Sequence, residues 1–220
     1  ADAYKKVVFL DPDNFVALGN IAATTMTIGD FDSARDALLK STRIEEEPYH
    51  VANLAIAWYY EGEYEEAIAT FRRAVELTPL SVGNHIGLGD ALFVSGQERE
   101  AQSAYAEAAR LASDQLMAAP GDVEALSYLA WAQAMTGDDD AVITAQRAID
   151  LDPADYYAHY YQALVELHTG NTDAALDAAE RAIETGYPVA VLAAEPILRE
   201  LWDDSRFVAL MAKHSVGGEQ

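Results

Sequence analysis

The chain has 220 residues, no cysteine, and 37 Asp and Glu against 14 Lys and Arg, which gives a formal net charge of −23. Without thiols it is neither a disulfide-stapled miniprotein nor a Cys-ligated metal domain, and its acidity opposes nucleic-acid phosphates and anionic membrane surfaces. Hydrophobic residues make up 51% of it, enough for a real core, and no uninterrupted apolar run reaches the about 18 residues that a membrane helix needs.

Residues 1–14 contain AYKKVVFLDPDN, which reads as one helix with Tyr4 and Val7 on its packing face, ended by Pro12. A lone helix cannot bury its own apolar face, so residue 1 is expected to lie inside a longer protein. A missing targeting segment then says nothing of compartment.

From residue 15 a pattern repeats. Gly29, Gly62, Gly96, Gly137 and Gly170 are spaced 33, 34, 41 and 33 residues apart, each between two Ala-rich apolar stretches. Ala34, Ala67, Ala101 and Ala175 stand five residues after their glycines, and Ala141 four after Gly137. Four residues on come Leu38, Phe71, Tyr105, Ala145 and Ala179, and three further Ser41, Ala74, Ala108, Ala148 and Ala182. Offsets of four and three are helical. Upstream triplets such as Leu18/Ile21/Ala22 and Leu126/Leu129/Ala130 carry the same spacing, so each unit is expected to be helix, glycine turn, helix. The units fall at 15–47, 48–81, 82–122, 123–155 and 156–186. In the third, AYAEAARLASDQLMAAPGD keeps helical phase through Leu111, Leu116 and Met117 to Pro120. This predicts an elongated second helix, with a protruding dimer or partner contact near Leu116 as the alternative.

The best unit reads Val51-x2-Leu54-Ala55-x2-Trp58, then Gly62, Tyr64, Ala67, Phe71, Ala74 and the helix-stopping Pro79. This pattern resembles the tetratricopeptide repeat, a helix pair of about 34 residues. Over residues 1 to 187 the resemblance implies an all-α fold: a right-handed superhelix, or α-solenoid, of about five helix–turn–helix repeats after an N-terminal partial repeat. It departs from the pattern at Glu46, which stands in the proline place, and at Gln162, in a usually apolar place. Residues 187–214, with Leu198, Leu201, Phe207, Leu210 and Met211, are expected to form capping helices for the open end of the stack, and 215–220 a frayed tail. This ending looks like the segment that follows such repeats in bacterial multidomain signalling proteins, whose upstream part is a kinase, a nucleotide cyclase or a DNA-binding regulator.

Little here points to catalysis. Among His50, His85, His159, His168 and His214 no pair has the i, i+4 zinc spacing, and H-E-x-x-H is absent. His85 and His159 take packing places. GLGDALFVSG lies inside a first helix rather than between a strand and a helix, so it is no phosphate cradle. Asp138, Asp139 and Asp140 lack calcium-loop spacing and suit a solvated helix start. No serine occupies a G-x-S-x-G elbow. No enzyme activity, cofactor or metal is expected.

What remains is a binding surface. The resemblance places the first helices, about 15–28, 48–61, 82–95, 123–136 and 156–169, around a concave groove, and none of the 14 Lys and Arg falls in them. Chaperone-binding members of the family grip terminal carboxylates with Lys, Arg and Asn there. Here Asn20 and Asn53 hold a corresponding place but the cations are absent, which disfavours that clamp. Aromatics gather instead, 12 of 21 in those 70 positions, which suggests a partner surface. By helical phase Tyr49, Ile56, Tyr60, Ile86, Phe93, Trp131, Tyr157, Tyr160 and Leu164 are expected to reach the groove, with Tyr60, Phe93, Trp131 and Tyr160 as anchors and Asn20 and Asn53 bonding a ligand backbone. The alternative is that the aromatics are structural, or that another part of the chain fills the groove. With Asp90 and Glu166 near it, the groove suits a neutral or basic, apolar-rich peptide or helical segment of a protein partner. The expected role is an interaction module, or else a regulatory arm of a larger signalling or transcription protein acting intramolecularly or through dimerisation; a cytoplasmic location is favoured. The low-Lys, acid-rich composition is also that of a salt-adapted protein.

Overall fold

A computed structural model describes residues 2–215. It places thirteen α-helices in chain order: α1 (Asp2–Leu10), α2 (Phe15–Thr27), α3 (Phe31–Ile44), α4 (Pro48–Glu61), α5 (Tyr64–Leu77), α6 (Val82–Val94), α7 (Glu98–Ala118), α8 (Val123–Thr136), α9 (Ala141–Leu151), α10 (Tyr156–His168), α11 (Thr172–Thr185), α12 (Val189–Ala194) and α13 (Ser205–Ser215). A 3-10 turn, Pro196–Leu201, separates the last two. The described residues contain no strand, and no helix among them is long and apolar enough to cross a membrane. Apart from Ser215, the expected tail at 215–220 lies outside the described residues.

Local chemistry sets the boundaries. The side chains of Asn14, Glu47, Ser81, Asp122 and Asp155 each accept the backbone N–H three residues on, at 2.8 to 3.3 Å, and so cap α2, α4, α6, α8 and α10. At the far ends of α4 and α8 the chain turns through Gly62 (φ 82°) and Gly137 (φ 76°), a left-handed conformation that a Cβ would strain.

The helices pair as α2/α3, α4/α5, α6/α7, α8/α9 and α10/α11, and α2, α4, α6, α8 and α10 also touch one another in sequence, forming an inner layer. This is an α-solenoid of helix–turn–helix repeats. The small residue opening each outer helix, Ala34, Ala67, Ala101, Ala141 or Ala175, is buried, as are Leu38, Phe71 and Tyr105 one turn later. Helices approach closely at Gly87 and Gly89, where an added Cβ would fall 2.4 Å from the Phe71 ring and 2.6 Å from that of Tyr105. His85 and His159 each donate from Nε2 to the carbonyl of the preceding helix-stopping proline, Pro79 at 3.0 Å and Pro153 at 2.9 Å. These histidines tie one repeat to the next. α7 is the long outer helix, 21 residues.

After α11 the chain divides. α13 lies on α11, with Phe207 and Leu210 buried and Arg206 and Lys213 paired to Asp173, Asp177 and Glu180. The stretch between, from Tyr187 through the 3-10 turn, does not sit on the end of the stack. It runs across the concave face, packs on α10 and α6, and reaches back to α2. There Ala190 Cβ would lie 3.0 Å from a Cβ added at Gly29. This strap joins the last repeat to the first.

Candidate functional site

The inner helices and the strap enclose a cavity of about 610 Å3. One side of it is set by the beginnings of inner helices: Tyr49 on α4, Gly83 and Asn84 on α6, Glu124 and Tyr128 on α8, Tyr157 on α10. Tyr49 and Tyr157 remain 64% and 51% exposed. Tyr59 and Tyr60, Asp90, Tyr160 and Tyr161, and the strap residues Tyr187, Pro188, Val191 and Glu195 complete the wall, with Ala23, Met26 and Thr27 of α2. Among the described residues no Lys or Arg lines it.

Two acids organise the interior. Glu195, 1% exposed, accepts hydrogen bonds at Oε1 from the Tyr59 hydroxyl (2.6 Å) and the Ile197 N–H (3.2 Å), and at Oε2 from the hydroxyls of Tyr160 (2.8 Å) and Tyr60 (3.1 Å). Burial raises its pKa, and the bonds from Tyr59, Tyr160, Ile197 and Tyr60 oppose that rise. The same burial, with the charge of Glu195, keeps all three tyrosines protonated as donors. Stacking of Tyr160 on Tyr187, centroids 4.6 Å apart and planes within 8°, fixes the ring that carries one of these hydroxyls.

Asp90 is the second acid. Its Oδ1 accepts both the Tyr105 hydroxyl and the Trp131 Nε1–H, each at 2.8 Å, while Oδ2 has no hydrogen-bond partner among the described residues. Burial pushes this carboxyl up to about 7; the Trp131 bond opposes the rise, the Glu195 charge adds to it, and the Tyr105 bond opposes it again.

Of the residues expected at the groove, Tyr49, Asn53, Ile56, Tyr60, Ile86, Tyr157 and Tyr160 line the cavity. Asn20, Phe93, Trp131 and Leu164 do not. Trp131 is 0% exposed, edge-on to Tyr105 and bonded to Asp90, so it belongs to the packing between α6, α7 and α8. Leu164 is equally buried, Phe93 packs edge-on to His168, and the Asn20 amide donates to the Val16 carbonyl in its own helix. Glu166 is buried away from the cavity and receives Asn171 Nδ2 at 2.9 Å. Tyr60 and Tyr160 reach the groove, yet their hydroxyls are taken by Glu195. The chain's own strap thus fills part of the concave face. Sequence reasoning passed over Glu195, Tyr187, Tyr128 and Tyr161. A signal for Glu195 was present: one acid before a proline in the otherwise apolar VAVLAAEPIL. Among the described residues no group of three or more His, Asp or Glu is placed to hold a metal ion.

Fold and groove together define a helical-repeat protein, and family comparison names the repeat. Residues 52–81 and 139–190 match family models described as Tetratricopeptide repeat, so these two stretches carry tetratricopeptide repeats. One curated relative, small glutamine-rich tetratricopeptide repeat-containing protein 2 of Mycosarcoma maydis, is 32% identical over 79 residues, a match that spans 36% of this chain and 22% of that protein. Among solved structures, a thermophilic tetratricopeptide repeat protein from Thermus thermophilus superposes with a TM-score of 0.59 at 18% identity, covering 81% of this chain and 99% of its own. The APC/C hetero-tetramer Cut9-Hcn1 gives a TM-score of 0.59 at 16% identity, over 96% of this chain and 38% of that one. These similarities support the fold.

Proposed function

We propose that the chain is a protein-interaction scaffold that holds a segment of a partner protein in the concave cavity, entering past Tyr49 and Tyr157. Tetratricopeptide repeats serve generally as non-catalytic interaction scaffolds. One observation supports this site over any other: an open cavity of about 610 Å3, rich in tyrosine, with apolar Ile56 and Met26 and the amide of Asn53 facing it. Tyrosine gives large contact area at low entropic cost and carries a polar tip, and a neutral or basic, apolar-rich segment complements an acidic wall that has no cation. The test uses peptides selected by display on the immobilised chain. Their affinity is compared for the wild type, Tyr49→Ala/Tyr157→Ala, and Ile143→Ala, whose side chain is exposed on outer helix α9. The double variant is expected to bind at least about tenfold more weakly, the range that loss of aromatic contacts costs at an interface, and Ile143→Ala to bind as wild type. Equal binding by the double variant removes the site.

The strap favours a second, intramolecular reading, in which this chain regulates a larger protein and its own segment competes with the partner. Hydrogen exchange of residues 189–201 measures it: faster exchange when a selected peptide binds means displacement, and unchanged protection means that the strap is a fixed wall.

A further inference from the structure

We propose that the cavity receives a basic side chain, a guanidinium or alkylammonium carried on the partner segment, between the Asp90 carboxylate and the surrounding tyrosines. This rests on the concave-groove reading and specifies its ligand. Asp90 is partly buried by the packing of α6 against α7 and α8, and both of its hydrogen bonds fall on Oδ1. Its other oxygen is unpartnered among the described residues, and the cavity it lines holds no Lys or Arg. Facing it are the carboxyl of Glu195 on the strap and the neutral phenols of Tyr59 on α4, Tyr128 on α8 and Tyr161 on α10, none of which brings a positive charge. Glu195, in contrast, is satisfied by four donors from within the chain. Glu124, also on the cavity wall, accepts the Tyr128 hydroxyl at 3.1 Å.

A ligand that covers this carboxylate takes away its remaining water, which is costly without a counter-charge, and a cation brought by the ligand offsets that cost. The tyrosines suit the same guest, because phenol rings attract cations, more strongly when the pair is shielded from water. An acidic ligand would meet Asp90 and Glu195, and a purely apolar one would leave the Asp90 oxygen desolvated and unpaired. Arginine and lysine also carry their charge on a long, slim stem, which lets the peptide backbone stay outside the cavity.

The probes are two blocked pentapeptides, Gly-Gly-X-Gly-Gly, with X either arginine or its neutral isostere citrulline, and free N-butylguanidinium. They are titrated at pH 8 and 0.15 M salt into chain carrying 13C-labelled tyrosine, with ring signals as readout. The arginine peptide is expected to shift the Tyr128, Tyr157 and Tyr161 signals and to bind at least tenfold more tightly than the citrulline peptide. Weaker binding by N-butylguanidinium assigns the role to a side chain on a segment; equal binding assigns it to a free organic cation and overturns the peptide part of the proposal. Asp90→Asn retains an Oδ1 acceptor for Tyr105 and Trp131 while turning an amide toward the cavity. It should abolish the arginine preference, whereas Asp139→Asn, which removes a charge from an exposed turn, should leave it intact. If citrulline binds as well as arginine, or Asp90→Asn keeps the preference, the proposal is wrong. Selected peptides that still depend on Tyr49 and Tyr157 would then leave the groove reading standing, and their independence of both would end that too.

Discussion

A carboxyl group taken out of water needs donors, and Glu195 has three phenols and one backbone N–H around it. Removing the acceptor leaves buried hydroxyls with nothing to bond, which costs more than the bonds themselves are worth in an exchange with water. Glu195→Ala should therefore destabilise the fold by about 3 kcal/mol, read as a lower urea midpoint, and Glu195→Gln, which keeps one acceptor oxygen, by less than half of that. Asp90 makes the opposite contribution. Its folded pKa of about 7 lies above the ordinary carboxyl range, so the native state holds a proton that the unfolded chain releases, and stability falls as pH rises from about 4 to 7. Glu195 acts in the same direction. His168, whose pKa burial lowers, acts in the opposite one, because the unfolded state binds the extra proton there. Comparison of wild type with Asp90→Asn cancels the His168 part: the variant should lose less stability than wild type between pH 5 and pH 8. An unchanged difference between the two proteins at both pH values would mean that Asp90 titrates as an ordinary surface acid. Placing these two acids was beyond sequence reasoning for different reasons. Helical phase put Asp90 on an inner helix, but its partners Tyr105 and Trp131 come from two other helices. Glu195 meets phenols more than 130 residues away in α4.

At the scale of elements the sequence is most legible, because each helix writes its own boundaries. Five inner helices are capped by a side chain three residues before the N–H it accepts, and the turn glycines adopt positive φ. Both signals lie within a few residues of the structure they specify. Glycines inside a helix are harder to read. Gly87 and Gly89 read as lying inside a first helix, and each does sit in α6, but under an aromatic ring of a neighbouring helix that the pattern does not name. Gly89→Ala would gain helix propensity of about 1 kcal/mol but must displace the Tyr105 ring that anchors Asp90. Overpacking typically costs about 1–3 kcal/mol. The net expectation is a destabilised protein whose near-ultraviolet tyrosine signal changes while helix content does not; a more stable variant would show that the ring can move freely. The C-terminal stretch was legible only in part. Phe207 and Leu210 repeat at helical spacing and cover α11, but residues 189–201 are too short and too proline-divided for a periodic pattern. Their path is fixed by Glu195 and by contact with α2, neither of which has a local signature.

For the molecule as a whole, the strap changes what a solenoid is. Stacked repeats interact chiefly with their neighbours, and their stability is close to a sum over nearest-neighbour terms. Here Glu195 couples α4 to α10, and Ala190 meets Gly29 beside α2. The repeats so joined should unfold together, and Glu195→Ala should broaden the transition as well as lower it. The charge belongs to this scale too. Of the 37 acids most have no cation beside them because there are only 14 Lys and Arg, and the ion pairs that form are largely exposed, each worth little. The remaining repulsion is a long-range field that salt screens. Melting temperature should rise between about 0.1 and 2 M KCl, and a flat response would mean that the negative surface imposes no net strain on the fold. The central claim is that partners enter the concave cavity past Tyr49 and Tyr157. Its most direct test places a photo-crosslinking phenylalanine analogue at position 157, and separately at position 143 on outer helix α9, and asks which one captures a display-selected peptide. Crosslinks from 157 that excess unlabelled peptide competes away, and none from 143, are the predicted result; capture from 143 alone would contradict it.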